Sequence, residues 1–79
     1  MFHMRNNIVG YRVRIARKQH KPPLTQESLA ARLQLAGWDI GRAGVAKIEL
    51  GLRQVTDIEV VKLAAALDVS VTWLFQDDT

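Results

Sequence analysis

The chain has 79 residues, no cysteine and a formal net charge of +3. A chain of this size forms one domain, 1–79, that buries about 60% of its unfolded surface, and without cysteine neither a disulfide nor a thiolate metal site can staple it. No run approaches the ~18 apolar residues of a membrane span, and Met1-Phe2-His3-Met4-Arg5 lacks the apolar stretch of a secretion signal, so a cytoplasmic location is expected and membrane association is not.

The charge is unevenly spread. Arg5, Arg12, Arg14, Arg17, Lys18 and Lys21 fall within the first 25 residues, which hold no acid. The last 25 residues carry Lys62 against Asp57, Glu59, Asp68, Asp77 and Asp78. The N-terminal end therefore favours a polyanion and the C-terminal end does not, although a merely solvated surface would look the same.

Apolar residues recur at helical spacing throughout, and strand-like alternation is absent. The first helix is expected from near Asn7 to near His20, with Val9, Val13 and Ala16 inward and Arg12, Arg14 and Lys18 toward water. Pro22-Pro23 ends it, since neither proline can donate a backbone hydrogen bond. Thr25 is a good N-cap for a second helix to about Ala36, with Leu29 and Leu33 buried and Gly37 as a left-handed cap. A third helix is expected from near Gly41 to Leu50, with Val45 and Ile48 inward and Gly51 ending it. Thr56-Asp57-Ile58-Glu59 has the form of a capping box. It opens a fourth helix through Leu67, with Val61, Ala64 and Leu67 inward. Ser70 caps a last short helix containing Trp73, Leu74 and Phe75, and Asp77-Asp78-Thr79 should fray. The expected fold is all-α, a compact five-helix bundle. Its second and third helices are joined by a short glycine-containing turn, as a helix-turn-helix requires.

Three segments sharpen that expectation: Leu24-Thr25-Gln26-Glu27-Ser28-Leu29-Ala30, then Val45-Ala46-Lys47-Ile48-Glu49-Leu50-Gly51, then Leu63-Ala64-Ala65-Ala66-Leu67-Asp68-Val69-Ser70-Val71. In order and spacing they resemble the LTQxxLA, IxxIExG and LAxALxVS segments of the Cro/lambda-repressor-type helix-turn-helix family. The resemblance covers about Val9 to Phe75, within a core of about 8–75. It implies a lambda-repressor-like DNA-binding domain: a sequence-specific transcriptional regulator, a small stand-alone bacterial or phage-like repressor, with double-stranded DNA as its partner.

The resemblance also distributes roles. The helix Arg42 to Leu50 becomes the recognition helix, with Arg42, Ala43, Gly44, Ala46 and Lys47 reading bases. Gln26 at the start of the second helix, and Arg53 and Gln54 in the loop before the fourth, become phosphate contacts. Arg17 and Glu49 stand where the family carries a buried or half-buried ion pair; an ordinary surface pair is the alternative. Departures are visible too. Gly41, Ala43 and Gly44 replace a serine cap and a polar pair, leaving a reading face poor in hydrogen-bonding groups, and Gly44 costs a helix roughly 1 kcal/mol relative to alanine. Six residues separate Leu33 from Ile40 where the common pattern has one. Trp38 in that stretch either packs over the helix end and core or touches DNA or a partner, with packing preferred. Asp39 competes with Gly41 as the cap.

No cofactor, metal or catalytic group is expected. His3 and His20 lie far apart, flanked by bases, and are expected to be solvated; no nucleotide-binding glycine loop is present. A two-fold homodimer is expected, through the C-terminal Val71, Trp73 and Phe75; the alternative is that Trp73 and Phe75 close the core of the single chain. Two other functions fit the same sequence. One is an antitoxin-like or accessory helix-turn-helix module whose main partner is another protein. The other is a purely protein-binding helical domain, kept open by the neutral Ala43, Gly44 and Ala46.

Overall fold

The computed structural model describes residues 5–76. Five helices follow in order: α1 (Gly10–Gln19), α2 (Gln26–Leu35), α3 (Arg42–Glu49), α4 (Asp57–Leu67) and α5 (Val71–Leu74). Among the described residues there is no strand. The expected frayed tail Asp77-Asp78-Thr79 and His3 lie outside the described residues.

Local chemistry sets the boundaries. Three helices start at a hydroxyl whose oxygen accepts an otherwise orphaned amide: Thr25 from Ser28, Thr56 from Glu59, and Ser70 from Trp73. At Thr56 the Glu59 carboxylate also accepts from the threonine amide at 3.0 Å, closing the capping box. The third helix starts at Gly41 with no side-chain cap, so Asp39 does not cap it. Helices α2 and α3 end alike. Gly37 and Gly51 take positive φ of 88° and 75°. Their amides reach back to Gln34 and Ile48, and the amides of Trp38 and Leu52 reach back to Leu33 and Lys47. That is a Schellman pair in each case, and glycine adopts its left-handed residue without a Cβ clash.

The core is one cluster. Val9, Val13 and Ala16 meet Leu29, Ala30 and Leu33, Val45 and Ile48, and Val60, Leu63, Ala64 and Leu67. Leu24 and Ile40 from the connections and Leu74 from α5 complete it. Helix α3 packs on α1 and α2, while α4 packs on α1, α2 and α5. Two helical faces differ from the expected ones. Val61 points to solvent and Val60 is buried. Helix α4 is apolar almost all round, so its period alone does not choose between 60, 63, 64, 67 and the face one residue on.

Arg12 is the larger correction. It was expected to face water, yet it is only 9% exposed. Its guanidinium carbon lies 3.8 Å from the centroid of the Trp73 ring, Nε donates to the Trp73 carbonyl at 3.1 Å, and Nη2 donates to Gln76 Oε1 at 2.9 Å. A planar cation stacked on an aromatic face loses little by leaving water when its N–H groups are satisfied. This arginine pins α5 to α1.

Helix α1 begins at Gly10, three residues after Asn7. Asn7 is buried and acts as the anchor. Its Oδ1 accepts the Gly10 amide at 2.7 Å, and its Nδ2 donates to the carbonyls of Ile48 and Arg53 at 3.1 and 2.9 Å. Gly10 sits so close to the end of α3 that a Cβ there would fall 2.0 Å from the Ile48 carbonyl oxygen. Only glycine permits this approach of the two helices.

His20 is the third correction. Its side chain is 10% exposed rather than solvated. Nδ1 lies 2.9 Å from the Pro22 carbonyl oxygen and Nε2 lies 2.9 Å from Asp68 Oδ2. Asp68 is the left-handed residue that ends α4, so this contact links the ends of α1 and α4.

Candidate nucleic-acid interface

Helix α3 turns Val45 and Ile48 wholly into the core and leaves Arg42, Ala43 and Lys47 exposed and Ala46 half-buried. Positions 42, 43, 46 and 47 therefore line one outward side. Neither Arg42 nor Lys47 forms a side-chain hydrogen bond or ion pair with another described residue. Gly44 is half-buried, and a Cβ on it would lie 2.6 Å from Ile40 Cγ1. The helix tolerates a glycine here because Ile40 lies across it. Its place is thus on the flank of α3 that meets the preceding turn.

The inner side of α3 is braced by charge. Glu49 is 7% exposed. Its Oε2 accepts from Arg17 Nε at 2.7 Å and its Oε1 accepts from Arg17 Nη2 at 3.0 Å, a two-point fork. Arg17 Nη1 donates to the Leu24 carbonyl at 3.0 Å. Gln26 Nε2 donates to the same Glu49 Oε1 at 3.1 Å. Helix α1, the start of α2 and the end of α3 thus share one carboxylate. Gln26 spends its amide on this brace and is only partly exposed. No buried side-chain polar atom is left without a partner among the described residues.

The long α2–α3 connection packs down. Gln34 Nε2 donates to the Ile40 carbonyl at 2.7 Å, and the half-buried Trp38 lies against the core. Arg53, just after α3, stands over the Trp38 ring with its guanidinium carbon 5.4 Å from the centroid. Arg53 Nη2 also reaches Glu59 Oε2 at 3.4 Å, and its Nε reaches the Gln54 carbonyl. Gln54 is exposed. Arg53 is therefore a cation with three competing partners, whereas Arg42 and Lys47 have none among the described residues. Asn7, Gly10 and the Arg12–Trp73 stack were missed by sequence reasoning. Each depends on a neighbour more than 35 positions away, and no local pattern signals such a contact.

No group of three or more histidine, cysteine or acidic side chains is placed to hold a metal ion among the described residues. No described helix is long and apolar enough to cross a membrane. A short helix with outward cations unpaired among the described residues, buttressed from behind and preceded by a helix across the packed 36–41 connection, defines a helix-turn-helix DNA-binding domain.

The chain belongs to the Cro/C1-type helix-turn-helix family, whose model matches residues 13–74. It is a small DNA-binding transcriptional regulator. Among solved structures it is similar to the restriction-modification controller protein C.AhdI from Aeromonas hydrophila. The two are 34% identical, with a TM-score of 0.70, over 85% of this chain and 87% of that one. No curated protein matches it.

Proposed function

We propose that the chain is a sequence-specific repressor that binds a palindromic DNA site as a two-fold homodimer in the cytoplasm, with α3 in the major groove. The observation that carries this is the unpaired outward face of α3. Arg42, Ala43 and Lys47 are exposed on a helix whose opposite face is fixed by the core and by the Arg17–Glu49–Gln26 brace. Arg42 grips a guanine edge at two points, Lys47 reaches a base or phosphate, and Ala43 and Ala46 meet thymine methyls. Gly44, on the flank against Ile40, stands at the edge of this face. The N-terminus of α2 at Gln26, together with Arg53 and Gln54, meets the phosphates. Arg53 exchanges Glu59 for a phosphate in doing so. The protein acts by occupying DNA and catalyses nothing.

Pairing follows from magnitude. Each good bidentate base contact contributes about 1–3 kcal/mol of discrimination. Specific sites are typically about 4–10 kcal/mol better than random DNA. One α3 with two strong side chains falls short of most of that range, and two copies double it. Their recognition helices then sit about 34 Å apart, one turn of DNA. Val71 and Phe75, 37% and 48% exposed at the C-terminal end, are the contact. Trp73 contributes less, because Arg12 covers its ring. Similarity to a restriction-modification controller favours a regulated gene set of that kind.

A second reading, a helical module whose main partner is a protein, draws on the apolar side chains near the reading face: Ala43, Ala46 and Leu50, the last 65% exposed. The two readings separate on substitution. With base reading, Arg42→Ala costs about 1–3 kcal/mol on the best site and relaxes preference at one base pair. Arg53→Ala weakens all sequences about equally. Equal losses on specific and random DNA for Arg42→Ala exclude a reading role, and no binding to any duplex at low salt favours the protein-partner reading.

A further inference from the structure

We infer that the outer face of α1, Tyr11–Arg14–Lys18, is a second DNA-contact strip that grips the sugar-phosphate backbone beside the groove entered by α3. This rests on the placement of α3 in the major groove proposed above. The three residues are spaced three and four apart, so they share one helical face, and all are exposed. None makes a side-chain hydrogen bond or ion pair with another described residue. Their neighbour Arg17, by contrast, is fully engaged with Glu49 and Leu24. Arg14 and Lys18 are like charges one turn apart, an arrangement that an isolated helix disfavours. A polyanion alongside would relieve the repulsion.

The strip lies next to the reading face rather than elsewhere on the molecule. One surface cleft brings Arg14 and Tyr11 together with Ala46 and Leu50 of α3 and with Gln26. A second brings Lys18 together with Arg42 and, again, Gln26. The two clefts adjoin at Gln26, so the α1 face runs beside α3 from its first residue to its C-cap. Size decides what such a face meets. The major groove is about 12 Å wide, which one helix fills. Packed helices sit about 8–10 Å apart, axis to axis. With α3 centred in the groove, about 6 Å from its walls, α1 lies over the wall, where the phosphates are. The strip therefore adds grip without sequence information.

The test is the salt dependence of binding by the Arg14→Ala/Lys18→Ala double variant on the best selected site. Each phosphate contact contributes about 0.9 to the slope of log affinity against log salt. Loss of two contacts makes the slope about 1.8 less steep. A rise from about 50 to about 200 mM salt then costs the variant roughly 12-fold less affinity than it costs the wild type. Affinity falls by a similar factor on specific and random DNA, and thermal stability is not lowered, because neither side chain has a partner among the described residues. The charge-retaining Arg14→Lys/Lys18→Arg variant keeps the wild-type slope. Lys62→Ala, on α4 beside Leu35 and Ala65, controls for net charge and leaves the slope unchanged. A slope unaltered in the double variant, or altered no more per charge than by Lys62→Ala, overturns the strip while leaving the α3 reading intact. A wild-type protein that binds no DNA overturns both.

Discussion

Glu49→Ala tests the brace behind α3. Three donors converge on this carboxylate, from Arg17 at 2.7 and 3.0 Å and from Gln26 at 3.1 Å. Removing it strands the Arg17 guanidinium, whose side chain is 11% exposed. Breaking a buried pair from one side typically costs about 3–5 kcal/mol, because the remaining charge has left water with nothing in return. Arg17 keeps its bond to the Leu24 carbonyl and a little solvent, so the low end, about 3 kcal/mol, is expected. A domain of this length holds only about 4–12 kcal/mol in total. At about 4–8 °C per kcal/mol, Tm should fall by about 12–24 °C. Calorimetry or thermal circular dichroism reads this directly. The double replacement Arg17→Met/Glu49→Met should recover much of the loss, since an apolar pair of similar volume strands no charge. A single-variant cost under about 1 kcal/mol, the value of an exposed pair, would refute the buried-brace argument. So would a double variant no better than the single one.

Gly10→Ala should destabilise by about 1–3 kcal/mol or more in chemical unfolding, because its Cβ would collide with the Ile48 carbonyl and push α1 off α3. Asn7→Ala should cost about 1–3 kcal/mol by orphaning the Gly10 amide and the Arg53 carbonyl, while the Ile48 carbonyl keeps the Gly51 amide; unfolding again reads it. Arg12→Ala should cost about 1–2 kcal/mol, combining the Trp73 stack with the bond to its carbonyl. It should also change the tryptophan fluorescence; an unaltered spectrum and stability would show that Arg12 is solvated after all.

What was legible in the chain is what local chemistry controls. Thr25, Thr56 with Glu59, and Ser70 announce helix starts because a hydroxyl beside an orphan amide acts within a few residues. Gly37 and Gly51 announce ends for the same reason. Val13, Leu29, Leu33, Val45 and Ile48 show their faces because a polar opposite side makes the period readable. Val61 was misplaced where that contrast fails, on a helix apolar nearly all round. Arg12 and His20 were assigned to solvent by residue type, yet each is held by a partner from the far end of the chain, Trp73 and Asp68. The outward face of α3 was legible as a place, since Val45 and Ile48 fix which side is inside. The commitment of Gln26 to Glu49 was not, because it depends on how α2 meets α3.

Sequence-specific DNA binding is tested most directly by selecting duplexes from a random pool with the wild-type chain, then measuring stoichiometry and affinity on the best site against random DNA of equal length at fixed salt. An enriched palindrome with half-sites one helical turn apart, bound by two chains per duplex and at least about 10³-fold more tightly than random DNA, is the expected result. A pool that shows no enrichment, or a best site that saturates with one chain and is held no better than random sequence, would contradict it.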